Sequence, residues 1–249
     1  MSQNTGLPLF YTRPQPLNAE VHGNLALNAE NISYSFATNT NSVPLNATEF
    51  GRALKHYPIV FVDSNPSAPV AVLGLRDAEN LFVSQDGKWT QSTYIPQYVT
   101  RYPFIFLENQ DQGQFILCVD TDSELVKEDG EHKFFDGKEV TDLSKRALDM
   151  CTNYQAQFNF TVDFVKALKE HDLLIANQAD ITLASGEKLS LSGFQVVDEK
   201  KFNELSDEVV LDFHRKGYTA LIHAHFISIL NWQSLVDATA AKEAAITKQ

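Results

Sequence analysis

The chain has 249 residues, of which 43% are hydrophobic and 21% charged, and its formal net charge at pH 7 is -12. This composition is ordinary for a globular protein that buries one substantial core. The 32 acidic residues outnumber the 20 basic ones. That excess argues against nucleic acid or an anionic membrane surface as the main partner, because both bind through basic surface.

The N-terminal region has neither a basic start nor the apolar stretch of a signal peptide, and no apolar run reaches the ~20 residues of a membrane span. Residues 1–20 contain three of the nine prolines and no hydrophobic period, which predicts an extended arm. Cys118 and Cys151 both lie in apolar surroundings and are interpreted as two buried free thiols of a reducing compartment. We therefore expect a soluble, cytoplasmic protein.

Short β-branched and aromatic runs, punctuated by turn residues, dominate the first half of the chain. Such runs are typical of antiparallel strands joined by tight turns. Tyr34 and Phe36 alternate with polar residues, which predicts a further short strand before a polar loop. The other strands are predicted over 59–63, 69–75 and 80–89, and a hairpin is predicted from 102–109 and 113–120.

Helical periodicity dominates the second half. Apolar residues recur every three or four positions from Asp142 to about His171 without a glycine or proline. A hairpin is predicted over 179–198, followed by a helix that begins after Asp198 and ends at Gly217. The sequence thus predicts a single α+β domain over 1–237, mainly antiparallel sheet in its first half with helices from its second half packed on it. Residues 238–249 carry one large apolar side chain and are predicted to be a flexible tail.

An acidic stretch spans residues 120–142. Its first acids fall at five of the ligand positions of a calcium loop, but Leu125 stands where such a loop needs glycine. We therefore favour a solvated acidic loop over a calcium site. The acids concerned are Asp120, Asp122, Glu124, Glu128 and Glu131.

The segment 89–102 combines one tryptophan, three tyrosines and one arginine. If a helical turn begins at Pro96, the tyrosines recur every four residues on one face. Two interpretations stay open: the rings complete the core with their hydroxyls towards solvent, or they form a binding surface, since Tyr and Arg often anchor one. The candidate binding residues are Trp89, Tyr94, Tyr98, Arg101, Tyr102 and, from the C-terminal region, His223.

His223 and His225 stand two positions apart in an apolar run. On a strand they would share a face and could chelate one metal ion, whereas on a helix they diverge by ~200° and could not. The apolar positions from Leu221 to Val236 fit one helical sector, which favours the helix. We expect His225 to be a core imidazole hydrogen-bonded to a backbone carbonyl or a carboxylate, and His223 to lie near an edge.

The usual catalytic motifs are absent from the sequence. No histidine is followed two positions later by Asp or Glu, as non-heme iron oxygenases require, and there is no HExxH, CxxC, GxSxG, GxGxxG or Walker loop. We therefore predict no cofactor and no metal, and leave open whether the chain is an enzyme. The alternative is an iron site that draws on His223 with His56 or His22.

Several phrases together resemble the SapC family of bacterial proteins from about residue 8 to residue 236. They include "HYPIVFV", "PVAVLGL", "YIPQYVTRYPF", "LSGFQVVDEKKF" and "GYTALIHAHFISILNWQSL". The resemblance implies a role beside peptide-modifying, nutrient-uptake or surface-layer systems, and it supplies no catalytic residues.

The leading hypothesis is a binding or accessory protein with a peptide or protein partner. The alternatives are a metal-dependent peptidyl hydroxylase or related oxygenase with a non-standard site, and a surface-layer structural component.

Overall fold

A computed structural model describes residues 6–28, 32–62, 68–109, 114–183 and 186–246. The chain divides into two compact units, each built from two stretches of chain. The first unit contains Met1–Phe36 and Tyr98–Ala156, and the second contains Ala37–Gln97 and Gln157–Gln249. The organisation of 1–237 as one domain stays a prediction.

Thirteen strands and eight α-helices are present in the described part of the chain. The strands are β1 (Pro14–Pro16), β2 (Leu25–Leu27), β3 (Ser42–Pro44), β4 (Ile59–Val62), β5 (Ala68–Val72), β6 (Phe104–Asn109), β7 (Gln114–Asp120), β8 (Val126–Glu128), β9 (His132–Lys133), β10 (Phe135–Asp136), β11 (Glu139–Val140), β12 (Leu174–Thr182) and β13 (Lys188–Val197). The helices are α1 (Ala19–His22), α2 (Phe50–Ala53), α3 (Gln97–Thr100), α4 (Asp142–Glu170), α5 (Glu199–Asn203), α6 (Asp207–Arg215), α7 (Tyr218–Ser228) and α8 (Trp232–Ile246). Short 3-10 turns cover Ser35–Ala37, Ala47–Glu49 and Ile229–Asn231.

The first unit is built on small antiparallel sheets. β7 lies between β1 and β6, β2 lies between β8 and β9, and β10 pairs with β11. The aromatic rings of Phe104 and Phe134 meet edge to face, with centroids 5.5 Å apart, and pack with Cys151 of α4. The strand β1 gives the predicted N-terminal arm an extended segment that is fixed to β7 by pairing.

The second unit contains a five-stranded antiparallel sheet in the order β12-β13-β4-β5-β3. Alternate β-branched residues on β4 and β5 turn one face towards a core that includes Leu235 of α8. Helix α7 packs against β4, where Phe61 and His225 meet with ring centroids 5.3 Å apart. Gly217, at a φ of 78°, adopts the left-handed conformation that lets the chain turn from α6 into α7.

The α+β class and the antiparallel sheets are confirmed. The predicted strands over 59–63 and 69–75 correspond to β4 and β5, and the predicted hairpins correspond to β6–β7 and β12–β13. The long helix is confirmed as α4, and Asp198 caps α5 by accepting hydrogen bonds from two backbone amides.

Three local predictions are wrong. Tyr34 and Phe36 do not alternate along a strand, because Ser35–Ala37 forms a 3-10 turn. Residues 80–89 form no strand, only an isolated bridge between Val83 and Trp89. The helix expected from Asp198 to Gly217 is two helices, α5 and α6, since a second helix begins after Ser206.

The C-terminal segment is helical as far as Ile246, where α8 ends, and residues 247–249 lie outside the described part of the chain. The flexibility of 238–249 stays a prediction. Arg76 contacts Glu187 and Glu243, which ties this helix to the β12–β13 hairpin through an ion-pair network.

Candidate functional site

The arginine of the aromatic segment is buried in the first unit. Arg101 is 9% exposed, and its guanidinium lies 4.2 Å from the ring centroids of both Tyr98 and Tyr154. The ring of Tyr11 lies 5.9 Å away, and Nε of Arg101 has no hydrogen-bond partner among the residues that the structure describes. The π faces of the tyrosines stabilise the buried cation in place of a carboxylate. For Tyr98 and Arg101 the structure therefore favours the interpretation as core packing.

Tyr102 is held by an acid at the end of β7. Its hydroxyl donates to Asp120 Oδ2 at 3.1 Å, and Asp120 also accepts from the backbone amides of Thr12 and Arg13. Burial, followed by the neighbouring Asp120 carboxylate, raises the pKa of Tyr102 to about 12. Asp120 is completely buried, so the expectation of a solvated loop is wrong at this position. It holds for the other acids of the calcium-like spacing, which are exposed: Asp122, Glu124, Glu128 and Glu131.

Trp89 and Tyr94 belong to the second unit. Nε1 of the buried Trp89 donates to the Tyr57 hydroxyl at 3.3 Å, and that hydroxyl donates in turn to the Tyr94 carbonyl. Stacking of Phe82 on Trp89, with centroids 6.4 Å apart, closes the cluster. Burial raises the pKa of Tyr57 to about 12. Trp89 thus has a structural role in fixing the loop that precedes α3.

The hydroxyl of Tyr94 meets a buried carboxylate. It donates to Glu49 Oε1 at 2.9 Å, and the same oxygen accepts from the Gln97 amide at 2.8 Å. Oε2 of Glu49 accepts from the Asn46 amide at 2.9 Å and completes a capping box. Burial raises the pKa of Glu49, although these hydrogen bonds oppose the shift. Through these hydrogen bonds Glu49 holds together the loop before α3 and the 3-10 turn Ala47–Glu49.

The two histidines of α7, His223 and His225, lie in different environments. His225 is completely buried, with Nδ1 2.8 Å from the Ile59 carbonyl and Nε2 3.1 Å from the Val197 amide. Because the carbonyl can only accept and the amide can only donate, the ring is neutral with its proton on Nδ1. Burial lowers the pKa of His225 to about 4. The expectation of a core imidazole bonded to a backbone carbonyl is confirmed.

His223 is exposed, with its ring edge-on to Phe202 at 5.6 Å and Phe226 at 6.2 Å. His22 contacts Gln15 and the Asn18 amide. Burial lowers the pKa of His22 and also that of His56. Within the described ranges, no three His, Cys, Asp or Glu side chains lie close enough together to hold a metal ion, so the iron alternative has no ligand set there.

An apolar pocket in the first unit was not predicted from the sequence. Its volume is about 260 Å³, and Arg146 of α4 is the one charged residue among the described residues that line it. One wall is formed by residues of the segment from Val99 to Phe104, which begins in the last turn of α3. The apolar lining includes Leu27, Ile32, Phe36, Tyr102, Leu143 and Met150. Of the six predicted site residues, Tyr102 lines this pocket.

A polar pocket of about 330 Å³ shares a wall with the apolar pocket. Phe36, Tyr102 and Leu125 line both, and the rings of Phe36 and Tyr102 lie 4.3 Å apart between their centroids. Serine and threonine hydroxyls and two carboxylates line the polar side. The arrangement can hold an apolar group beside a polar or charged one, which is typical of a binding site.

None of the helices in the described part of the chain is long and apolar enough to cross a bilayer. Comparison with known proteins gave no match among curated proteins and none among solved structures. A family model described as SapC matches residues 17–235, which is most of the chain. The chain therefore belongs to the SapC family.

Proposed function

We propose that this protein is a binding or accessory protein that holds an apolar group of a peptide or protein partner in the apolar pocket of the first unit. The observation that carries the proposal is the pocket itself, an apolar concavity next to a polar one. Concave, mostly apolar sites with a few polar groups at one side are the usual form of a ligand site. Its size, about 260 Å³, suits a side chain better than a whole drug-sized molecule.

The wall formed by Val99, Tyr102 and Pro103 supports this proposal, because it is firmly placed. Tyr102 is anchored through Asp120, and Arg101 is clamped between Tyr98 and Tyr154. A pocket built on such fixed side chains loses little freedom when a ligand enters. The buried aromatic residues of 98–102 are largely shielded from solvent, and we assign them the role of shaping the pocket wall.

The test uses the two methionines of the chain, Met1 and Met150. Met150 lines the apolar pocket, so protein labelled with 13C at the methionine methyl groups carries a reporter in the pocket and a second signal for comparison. The probe is an acetylated, amidated Gly-Phe-Gln-Gly peptide. We expect a saturable shift of the Met150 methyl, assigned with Met150→Leu.

A pair of exposed residues provides the matched variants. Ile32, 59% exposed, lines the apolar pocket, whereas Val21, 70% exposed, belongs to the same unit but does not line it. Ile32→Ser should weaken binding about threefold to tenfold, the loss of part of one apolar contact, and Val21→Ser should leave it unchanged. A Met150 methyl that no apolar peptide shifts would refute the proposed function.

The place of this binding activity in the cell is proposed to be the cytoplasm, beside peptide-modifying, nutrient-uptake or surface-layer systems. The association with such systems is what the resemblance to the SapC family implies, and the acidic composition fits a partner that carries basic groups. Fractionation of cells decides the location: a protein recovered outside the cell would favour the surface-layer alternative.

A further inference from the structure

The apolar and polar pockets of the first unit carry opposite charges. Arg146 lines the apolar pocket and is absent from the polar one, whereas Asp122 and Glu124 line only the polar pocket. A ligand that spans the shared wall of Phe36 and Tyr102 therefore meets positive charge on one side and negative charge on the other. Complementarity of charge decides register and orientation at such a site.

The two acids of the polar pocket are not equally available. Asp122 Oδ1 lies 3.7 Å from Nη1 of Arg13, so this carboxylate already has a cation beside it. Glu124 is exposed and has no ion pair within the part of the chain that the structure describes. Glu124 is thus the carboxylate that a cationic group of a ligand would meet.

The rest of the polar pocket is suited to a polypeptide backbone. Thr12, Ser33, Ser35 and Ser123 line it, and their hydroxyl groups can both donate and accept hydrogen bonds. All four already have a partner: the hydroxyl oxygens of Ser33 and Ser35 lie 2.7 Å apart, Thr12 donates to Asp120, and Ser123 accepts from the Leu125 amide. A hydroxyl keeps an acceptor lone pair after donating, so backbone amides of a bound peptide have partners here.

From these features we infer that the ligand is a peptide segment in which a large apolar side chain stands next to a lysine or arginine. The apolar side chain occupies the apolar pocket, and the basic side chain lies in the polar pocket against Glu124. Arg146 on the apolar side repels the opposite orientation. This inference rests on the proposed function, because it names the partner of the same site.

The experiment compares three acetylated, amidated peptides that differ at one position: Gly-Phe-Lys-Gly, Gly-Phe-Gln-Gly and Gly-Phe-Glu-Gly. Each is titrated into the labelled protein while the Met150 methyl signal is followed. Because the ion pair is exposed, we expect the lysine peptide to bind about twofold to fivefold more tightly than the glutamine peptide and the glutamate peptide to bind more weakly. High salt should remove the difference.

Glu124→Gln and Glu131→Gln form a matched pair of variants. Both residues are exposed and lie in the first unit, but Glu131 does not line either pocket. Glu124→Gln should abolish the preference for lysine, so that the lysine and glutamine peptides bind this variant with the same affinity. Glu131→Gln should keep the preference, which separates a local ion pair from the general charge of the protein.

The outcomes distinguish the two proposals. Equal affinities for the three peptides, or a preference for glutamate, would overturn the inference while leaving the apolar site in place. A lysine preference that survives in Glu124→Gln would also overturn it. If none of the three peptides shifts the Met150 methyl, the proposed function fails as well.

Discussion

Protonation of His225 should destabilise the second unit in mild acid. Among the described residues, β4 pairs with β13 through Phe61 and Val62 alone, and the imidazole bridges the Ile59 carbonyl and the Val197 amide just beyond that point. A second proton on the ring would face the Val197 N–H with another N–H and would remove an acceptor. The charged ring would also stand in a fully buried site.

The size of the loss in stability follows from the pKa of His225 in the folded and in the unfolded protein. His225 has a pKa of about 4 in the folded protein and an ordinary value of 6.5 when unfolded. Between these values the unfolded chain binds more protons, so stability is complete above pH 6.5 and is lost as the pH falls towards 4. From pH 7 to pH 5 the free energy of unfolding should fall by about 2 kcal/mol because of this residue alone.

The assay is urea unfolding of the wild type and of His225→Gln at several pH values from 7 to 5. Glutamine can form one of the two hydrogen bonds but does not titrate, so the variant starts less stable and changes less with pH. Effects of His22 and His56 cancel in the difference between the two proteins. His223→Gln, a change at an exposed ring on the same helix, should reproduce the wild-type profile. If the free energy of unfolding changed with pH in the same way in the wild type and in His225→Gln, protonation of His225 would not be the cause of the acid destabilisation.

Three further predictions concern buried groups. Glu49→Gln should lower the free energy of unfolding by about 1–3 kcal/mol, because the amide nitrogen cannot accept a hydrogen bond from a buried donor. Tyr94→Phe should lower the free energy of unfolding by less in the same denaturation assay. Arg101→Lys should lower it by about 1–2 kcal/mol, since an ammonium cannot stack between two rings as a guanidinium does; an unchanged midpoint would speak against the stacking. Burial raises the pKa of both Cys118 and Cys151 to about 11, so native protein at pH 8 should not react with a thiol reagent, and rapid labelling before denaturation would contradict this.

The elements with a strong local pattern were predictable. β4 is a continuous apolar run, which is typical of a buried strand, and α4 maintains helical periodicity over 29 residues. The helical placement of His223 and His225 followed from the same periodicity. In each case the burial pattern of one element was visible in its own residues.

The predictions that were wrong concern segments in which polar side chains form hydrogen bonds with the backbone. Asn80 is buried, and it donates to the Ala37 carbonyl and accepts from the Phe82 amide, so these bonds replace a strand ladder over 80–89. Ser33 similarly accepts from the Ser35 amide and bends the chain where Tyr34 alternates with Phe36. Propensity alone does not reveal which of these polar residues is buried.

The pocket could not be predicted because its lining comes from distant parts of the first unit. Ile32, Tyr102, Leu125 and Met150 are far apart in sequence, and each is an ordinary apolar or aromatic residue. The one available signal was the aromatic segment 89–102. It indicated Tyr102, but it also indicated Tyr98 and Arg101, which are buried beside the wall and do not line the pocket.

The central claim is that the apolar pocket of the first unit holds an apolar group of a peptide partner. The most direct test follows the 13C-methyl signal of Met150 during titration with the phenylalanine peptides, in the wild type and in Ile32→Ser. We expect a saturable shift of the Met150 signal in the wild type, weaker binding in Ile32→Ser, and unchanged binding in Val21→Ser. A Met150 signal that does not move, or one that moves equally in all three proteins, would contradict it.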